Sequence, residues 1–346
     1  MSAKERVLVA MSGGVDSSVA AALLVEQGHE VTGVTLKLWG GDSDSGCCSV
    51  SDVEDARRVA AQLDIPHYVF DYTDAFDEHV VDPYVDAYAA GSTPNPCVDC
   101  NRHIKFGRLL DRADALGCDV LATGHHARRV RDWTGRVQLE RAIDSAKDQS
   151  YVLAMLTAPQ LERVWFPVGE LTKAGVRELA TRLQLRTAAK PDSQDVCFIT
   201  RGGREQFLAD RVPARAGSIV DGTGTRLGTH DGIARFTIGQ RRGLGIAAGE
   251  RRFVVDIDAP SATVTVGRPD DLLRAGLLVD ACTFVHDAPA SDAELLVQVR
   301  AHGEPVGARL DGGALVFSRP QPRVAPGQLV ALYEGSRVVG SAVVAA

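Results

Sequence analysis

The stretch Arg6–Ser18, RVLVAMSGGVDSS, decides how the rest of this chain is read. Arg6–Met11 reads as a short buried strand and Ser12–Ser18 as a glycine-rich turn. Val19–Gln27 reads as a helix, stopped by Gly28. A strand that turns into a helix collects free backbone amides and the positive end of the helix at one point, which suits an anion. Gly13 and Gly14 have no Cβ, so the backbone can approach that anion closely. Ser12, Ser17 and Ser18 add hydroxyl donors. The Walker pattern GxxxxGK[ST] is absent, so this is not a kinase-type phosphate loop. A Gly-Gly turn alone is equally an ordinary turn; SGGxDS directly after an N-terminal strand is far more specific.

Outward from this loop, strands and helices alternate. Val31–Leu38, His67–Phe70 and Asp119–Ala122 read as strands. Ser51–Leu63, with Ser51 as N-cap and Glu54 completing a capping box, Phe76–Ala90 and Asn101–Leu116 read as helices. This alternation predicts an α/β domain with a doubly wound, mostly parallel sheet, whose ligands bind beyond the carboxyl ends of the strands. Gln149–Leu156, Pro159–Val164 and Lys173–Leu183 continue as helices. Past Gly217 the pattern changes to short alternating runs between Gly, Pro and Asp turns: Arg252–Asp256, Ala262–Val266, Leu295–Arg300, Ala314–Ser318 and Gln328–Leu332. Such runs predict β structure. Three domains are expected: a catalytic domain over 1–200, a small linker domain over 201–275 and a C-terminal β-barrel over 276–346, with the inner boundary near Ala275.

The 346 residues are 45% apolar and 24% charged, an ordinary globular balance. No run is long enough to span a membrane, and the start MSAKERVLVAM lacks the apolar core of a secretory signal, so a cytoplasmic protein is expected. There, seven cysteines point to metal or catalytic use rather than a disulfide scaffold. The net charge of −7 is unfavourable for a phosphate-rich partner. Charge is unevenly spread, however: Arg201–Arg252 holds ten Arg against five acids, and Arg128, Arg129, Arg131, Arg136 and Arg141 form a second knot. Each group reads either as a footprint for nucleic acid or as solvated loops.

Three cysteines stand out: Cys97 and Cys100 in TPNPCVDCN, and Cys197 in DSQDVCFI. A CxxC is open between a redox pair, two metal ligands and coincidence. Zinc would want four ligands, and no second CxxC provides them; the loop pair Cys47–Cys48 is the remaining source. A thioredoxin-like pair should open a helix early in a small domain, not follow a proline-rich loop.

SGGVDSS is similar to the loop of the PP-loop ATP pyrophosphatases, which adenylate their substrates and release pyrophosphate. SGGVDSS, TPNPCVDCN, ATGHH, KDQSYVL, FPVGELTK, KPDSQDVCFI, TIGQRRGLGI and APGQ together, in that order over nearly the whole chain, resemble the bacterial tRNA 2-thiouridylases. The resemblance implies a tRNA-uridine 2-sulfurtransferase. Such an enzyme uses ATP and Mg2+ to activate C2 of the wobble uridine in tRNAs for Lys, Glu and Gln. Its sulfur comes as a cysteine persulfide from a desulfurase or carrier, and a monomer is expected.

The same resemblance distributes roles. Ala10, Met11, Ser12, Gly13, Gly14, Val15, Asp16 and Ser17 form the nucleotide loop, Asp16 placing magnesium and pyrophosphate. Gly124 makes room for adenine or ribose, and Leu36 either flanks the adenine or is a plain core residue. Cys100 resembles the nucleophile and Cys197 the persulfide carrier, the pair ending as a disulfide after sulfur delivery. Asn95, Pro96 and Cys97 occupy the loop that meets the target base. His125, Lys147, Asp148, Gln149, Arg300, Ala301 and Gln328 match tRNA-contacting positions. Two departures matter: position 97 is Asp in one branch of the family, and position 301 is often aromatic, whereas Ala301 cannot stack on a base. With a third thiol at position 97, Cys97, Cys100 and Cys197 are also candidate ligands of a [4Fe–4S] cluster. The alternative functions are a PP-loop ligase or amidotransferase acting on a small molecule, and a non-catalytic iron–sulfur or zinc RNA-binding protein.

Overall fold

Val7, Leu8 and Val9 are completely buried in a computed structural model that describes residues 4–39, 49–192, 196–199, 203–247 and 249–345. Their strand, Arg6–Ala10, is the centre of a five-stranded parallel sheet. Glu30–Lys37 and then His67–Asp71 lie on one side, Val120–Thr123 and then Val164–Trp165 on the other. The expected parallel α/β domain is therefore present. Its centre fixes the site, because the phosphate loop leaves the carboxyl end of this middle strand.

The first helix is Val15–Glu26, four residues longer at its start than the sequence suggests. Gly14 is the extended cap residue, and Asp16 in the first turn faces the positive helix end, which favours a carboxylate there. The next helix is Val50–Gln62, and its capping box is Ser49 with Asp52, not Ser51 with Glu54. The Asp52 amide donates to Ser49 Oγ at 3.1 Å, while Glu54 is occupied by an i,i+4 pair with Arg58 at 2.8 Å.

A second correction concerns the helix expected from Asn101. Helical backbone begins at Pro96, continues as a π-helix over Cys100–Arg108 and closes as an α-helix over Leu109–Ala115. Asn95 caps it, its Oδ1 accepting from the Cys97 amide at 3.1 Å, and Pro96 stands at N1, where a missing N–H costs nothing. Both cysteines of the CxxC therefore lie on helical backbone, and the π segment starts at Cys100, a deviation common at functional sites.

The middle region forms a four-stranded sheet with its own core of Ile219, Val254, Val264 and Val266. Beyond the short turn Pro269–Leu272, six strands close into a barrel, because Leu273–Phe284 pairs with both Ala314–Pro322 and the last strand, Arg337–Val344. Ala275 lies inside the first barrel strand. The hairpin Ala127–Arg131 with Val137–Arg141 went unread in the sequence, as did the helix Gly203–Ala209 and the strand Val164–Trp165; the hairpin leaves the catalytic domain and pairs with the barrel through Glu140 and Arg337. Among the described residues no helix is long and apolar enough to cross a membrane.

Candidate active site

The phosphate loop is tight and internally bonded. Ser12 N donates to Ser17 Oγ at 3.1 Å, and Ser18 Oγ donates to the Gly14 carbonyl at 2.8 Å. Gly13 has φ +71°, and a Cβ there would lie 2.3 Å from the Asp52 carbonyl oxygen, so no other residue fits without shifting the next helix. A Cβ on Gly124 would lie 2.6 Å from Ser17 N, so what Gly124 admits in this structure is the loop backbone itself. Ala10 is partly buried, and Met11 and Val15 are buried; the Met11 carbonyl accepts from Thr35 Oγ1 at 2.7 Å. Leu36 is buried in the main core.

Asp16 is the electrostatic centre. Lys173 Nζ donates to both its oxygens, at 2.8 and 2.7 Å, and His126 Nε2 lies 3.0 Å from Oδ1. Burial works against the Asp16 charge, but the hydrogen bonds from His126 and Lys173 outweigh it and hold the carboxyl below its ordinary value. Lys173 also reaches Asp192 at 3.0 Å, and Asp192 takes Lys147 at 2.7 Å and Arg177 at 2.7 Å. Burial raises the Asp192 pKa, yet Lys147 and Lys173 bring it well below the carboxylate range. Lys173, His126 and Asp192 were missing from the sequence-derived set, although ATGHH, FPVGELTK and KPDSQDVCFI contain them. Lys173 brings a cation to the Ser12–Ser18 loop from a helix 157 positions further along.

Cys100 is buried in the main core, and Cys197 packs partly buried against that same large cluster. Phe198 anchors the Cys197 segment, its ring 5.5 Å from Tyr84 and 5.6 Å from Phe76. Tyr84 is pushed far up by burial first, with smaller contributions from Tyr88 and Cys97. Cys47–Cys48 lie outside the described residues. Among the described residues no three His, Cys, Asp or Glu side chains are grouped closely enough to hold a metal ion, so Cys97, Cys100 and Cys197 do not form a cluster site in this conformation.

Between the two cysteines, burial lifts Asp99 to about 6, with Arg102 opposing. Its folded pKa exceeds the unfolded one, so the native state binds the extra proton between about pH 4 and pH 6, and stability falls as pH rises through that window. The expected result is that Asp99→Asn flattens the pH dependence of the melting temperature between about pH 4 and pH 6 and stabilises the protein at pH 8 by at most about 3 kcal/mol. Thermal melts of both proteins across that range check it.

The tRNA-contact set is partly tied into the protein. The ring of His125 is buried, 2.7 Å from Thr123 Oγ1 and edge-on to Phe166, and its pKa is driven down by burial. Asp148 accepts from Arg141 at 2.9 Å and from Ser150 Oγ at 2.8 Å, and Arg141 lies 3.7 Å over the Tyr333 ring of the barrel. Gln149 Oε1 accepts from the His126 amide at 2.9 Å and so steadies the imidazole on Asp16. Gln328 donates to the Thr93 carbonyl, and the Thr93 amide donates to Pro326 at 2.9 Å, fastening the Asn95–Pro96–Cys97 loop to the barrel. Arg300 is exposed, and Ala301 packs against the main core.

The two arginine groups differ. Arg128, Arg129, Arg131, Arg136 and Arg141 are each paired with a carboxylate, the closest pair being Arg131–Glu162 at 2.5 Å. Arg241 and Arg242 are exposed and make no ion pair among the described residues. Their loop faces the barrel's Arg300, whose Nη2 would be 3.8 Å from a Cβ on Gly239.

Residues 5–201 match the family model for the tRNA methyl transferase HUP domain, 205–268 the tRNA methyl transferase PRC-barrel domain and 274–344 the aminomethyltransferase β-barrel domain. The chain is 50% identical to the tRNA-specific 2-thiouridylase MnmA of Chloroflexus aggregans, covering 96% of each protein. It is 51% identical to the enzyme of that name from Mycolicibacterium vanbaalenii, covering 99% of each. A U34-tRNA thiolase from Methanococcus maripaludis, solved with its [4Fe–4S] cluster, is similar at 19% identity with a TM-score of 0.35, over 59% of this chain and 62% of that one. A likeness that distant carries no argument about cofactor or substrate. Half of all positions identical across both full lengths is another matter, and this chain belongs to the tRNA-specific 2-thiouridylase family.

Proposed function

We propose that this protein binds ATP at the Ser12–Ser18 loop, adenylates the wobble uridine of tRNA at its C2 carbonyl and replaces that oxygen with sulfur. The observation that carries the reading is the coincidence of the loop, the Asp16–Lys173–His126 cluster and the two distant cysteines in one catalytic domain of this family.

Carbonyl oxygen is a poor leaving group, and attack of the uridine O2 on the α-phosphorus of ATP, with loss of pyrophosphate, makes it a good one. The amides at the start of Val15–Glu26 and the Lys173 ammonium face the charge that develops on that pyrophosphate. Asp16 is a partly exposed carboxylate beside serine hydroxyls, an oxygen donor set that suits a hard cation. Magnesium held there would neutralise phosphate charge.

The terminal sulfur of a Cys197 persulfide then attacks C2, and AMP departs. The Cys100 thiolate attacks the Cys197 sulfur, which leaves the thiocarbonyl on the base and a Cys100–Cys197 disulfide. A dithiol reductant supplies the two electrons that reset the pair. Burial of Cys100 keeps water from the adenylated base while the sulfur is handed over. No step passes through an iron–sulfur cluster.

The pocket would also take a small acceptor if the protein were a PP-loop ligase. Pyrophosphate release measured with and without a wobble-uridine tRNA transcript separates the readings: strong stimulation by tRNA is expected, and stimulation by a small amine or acid instead of tRNA would overturn the assignment.

RNA binding by an acidic protein rests on local charge. Replacing Arg241 and Arg242 together by Ala is expected to flatten the slope of log affinity against log salt by roughly 1.5 to 2, one phosphate each. Filter binding from low to moderate salt checks this. Replacement of Arg128 with Arg136, both paired with carboxylates, is expected to leave the slope unchanged.

A further inference from the structure

Asp192 lies outside the phosphate loop, outside the CxxC helix and five positions before Cys197, yet it gathers more charge than any of them. One carboxylate accepts from Lys147 at 2.7 Å, Lys173 at 3.0 Å and Arg177 at 2.7 Å. Arg177 also donates to the carbonyls of Ala188 and Lys190, at 2.9 and 3.0 Å, so the backbone leading to Asp192 is held on the same helix as Lys173. The Lys173 ammonium is shared between two carboxylates: it donates to both oxygens of Asp16 and makes an ion pair with Asp192 at 3.0 Å. A triphosphate that draws on Lys173 therefore competes with these two carboxylates.

Lys147 is the other half of the device. It opens the KDQ segment, its side chain is 41% exposed, and its ammonium is held on Asp192. An RNA phosphate that draws Lys147 away leaves Asp192 short of one cation. Its remaining charge then falls more strongly on Lys173, pulling that ammonium from Asp16 and freeing the Asp16 oxygens for the metal–phosphate group.

We propose that Asp192 is a positioning residue, a counter-ion shared by Lys147 and Lys173, through which tRNA binding and ATP binding assist one another. This rests on the reading above in which Lys147 faces RNA and Lys173 faces phosphate. Coupling of this kind is reciprocal: whatever factor tRNA gives to ATP affinity, ATP gives to tRNA affinity. Separate pieces of a scaffold would show no such factor.

The test is equilibrium binding of α,β-methylene-ATP with magnesium, which cannot release pyrophosphate, to the full-length protein with and without a tRNA transcript. In wild type the transcript is expected to tighten nucleotide binding by at least about fivefold, the low end of typical coupling. In Asp192→Asn that factor falls to about one, while tRNA affinity holds or improves because Lys147 is released. A purely structural role would weaken both ligands together. Asp192→Glu, which keeps the charge, should recover part of the factor, and Lys147→Gln should abolish it from the other side. A wild-type factor of one, or full coupling in Asp192→Asn, overturns the proposal and leaves the functional reading standing. A folded wild-type protein that binds the nucleotide but no tRNA overturns both.

Discussion

Asp16→Ala is expected to lower tRNA-dependent pyrophosphate release by at least about a hundredfold, on the scale of losing an electrostatic group at the reacting phosphates. Asp16 meets Lys173 through both oxygens and His126 through one, so its removal leaves two cationic or donor groups without the carboxylate that orders them. It also removes the oxygen donors proposed for magnesium. tRNA affinity should stay nearly unchanged, because the loop is proposed to hold ATP and not RNA. Pyrophosphate release is measured in single turnover, and affinity by filter binding. A variant that releases pyrophosphate at the wild-type rate would remove Asp16 from the chemistry.

Cys100→Ser and Cys197→Ser should each abolish 2-thiouridine formation while the adenylated tRNA still forms. A serine hydroxyl can neither carry the transferable sulfur nor close the disulfide that releases it. Both side chains pack against one apolar cluster, so the substitution is nearly isosteric and the fold should survive. Product is followed by nucleoside analysis and the adenylate by radiolabelled ATP. Normal thiolation by either variant contradicts the paired-sulfur mechanism. The same assay bears on the cluster: iron-free wild type supplied with a persulfide donor is expected to turn over, and a strict requirement for iron would recast Cys197 as a ligand.

Much of the fold was legible because its signals are local. The buried strand before SGGVDSS, the helix stop at Gly28 and the turn-rich C-terminal third each follow from neighbours in the chain. The boundaries that moved did so for a local reason with two solutions. Ser49 and Ser51 both precede an acid by three residues, and the box forms at the first because Glu54 is drawn to Arg58. Asn95 was read as part of a base-contacting loop, and only the structure makes it a helix cap that brings Cys97 and Cys100 onto one turn.

A candidate site is legible where a motif names its own chemistry, as at Asp16, Cys100 and Cys197, whose roles are those proposed above. It was not legible where the chemistry arises between motifs. Lys173 was read as a helix start, and nothing local says that its ammonium lies on Asp16. Asp192 sits in a quoted motif without a role, because its three cations come from positions 147, 173 and 177. Gln149 and Gln328 illustrate the converse. The resemblance sends both to RNA, while in this structure one holds the His126 backbone and the other the loop before Cys97. The basic knot at 128–141 fails as a charge signal for the same reason: its carboxylates include Glu162 and Asp287, which no window around the hairpin contains.

The most direct test of the central claim is nucleoside analysis of bulk tRNA from cells with and without this gene. The account predicts that 2-thiouridine derivatives vanish when the gene is deleted and return with the wild-type gene but not with Cys197→Ser. Unchanged 2-thiouridine in the deletion strain would contradict it.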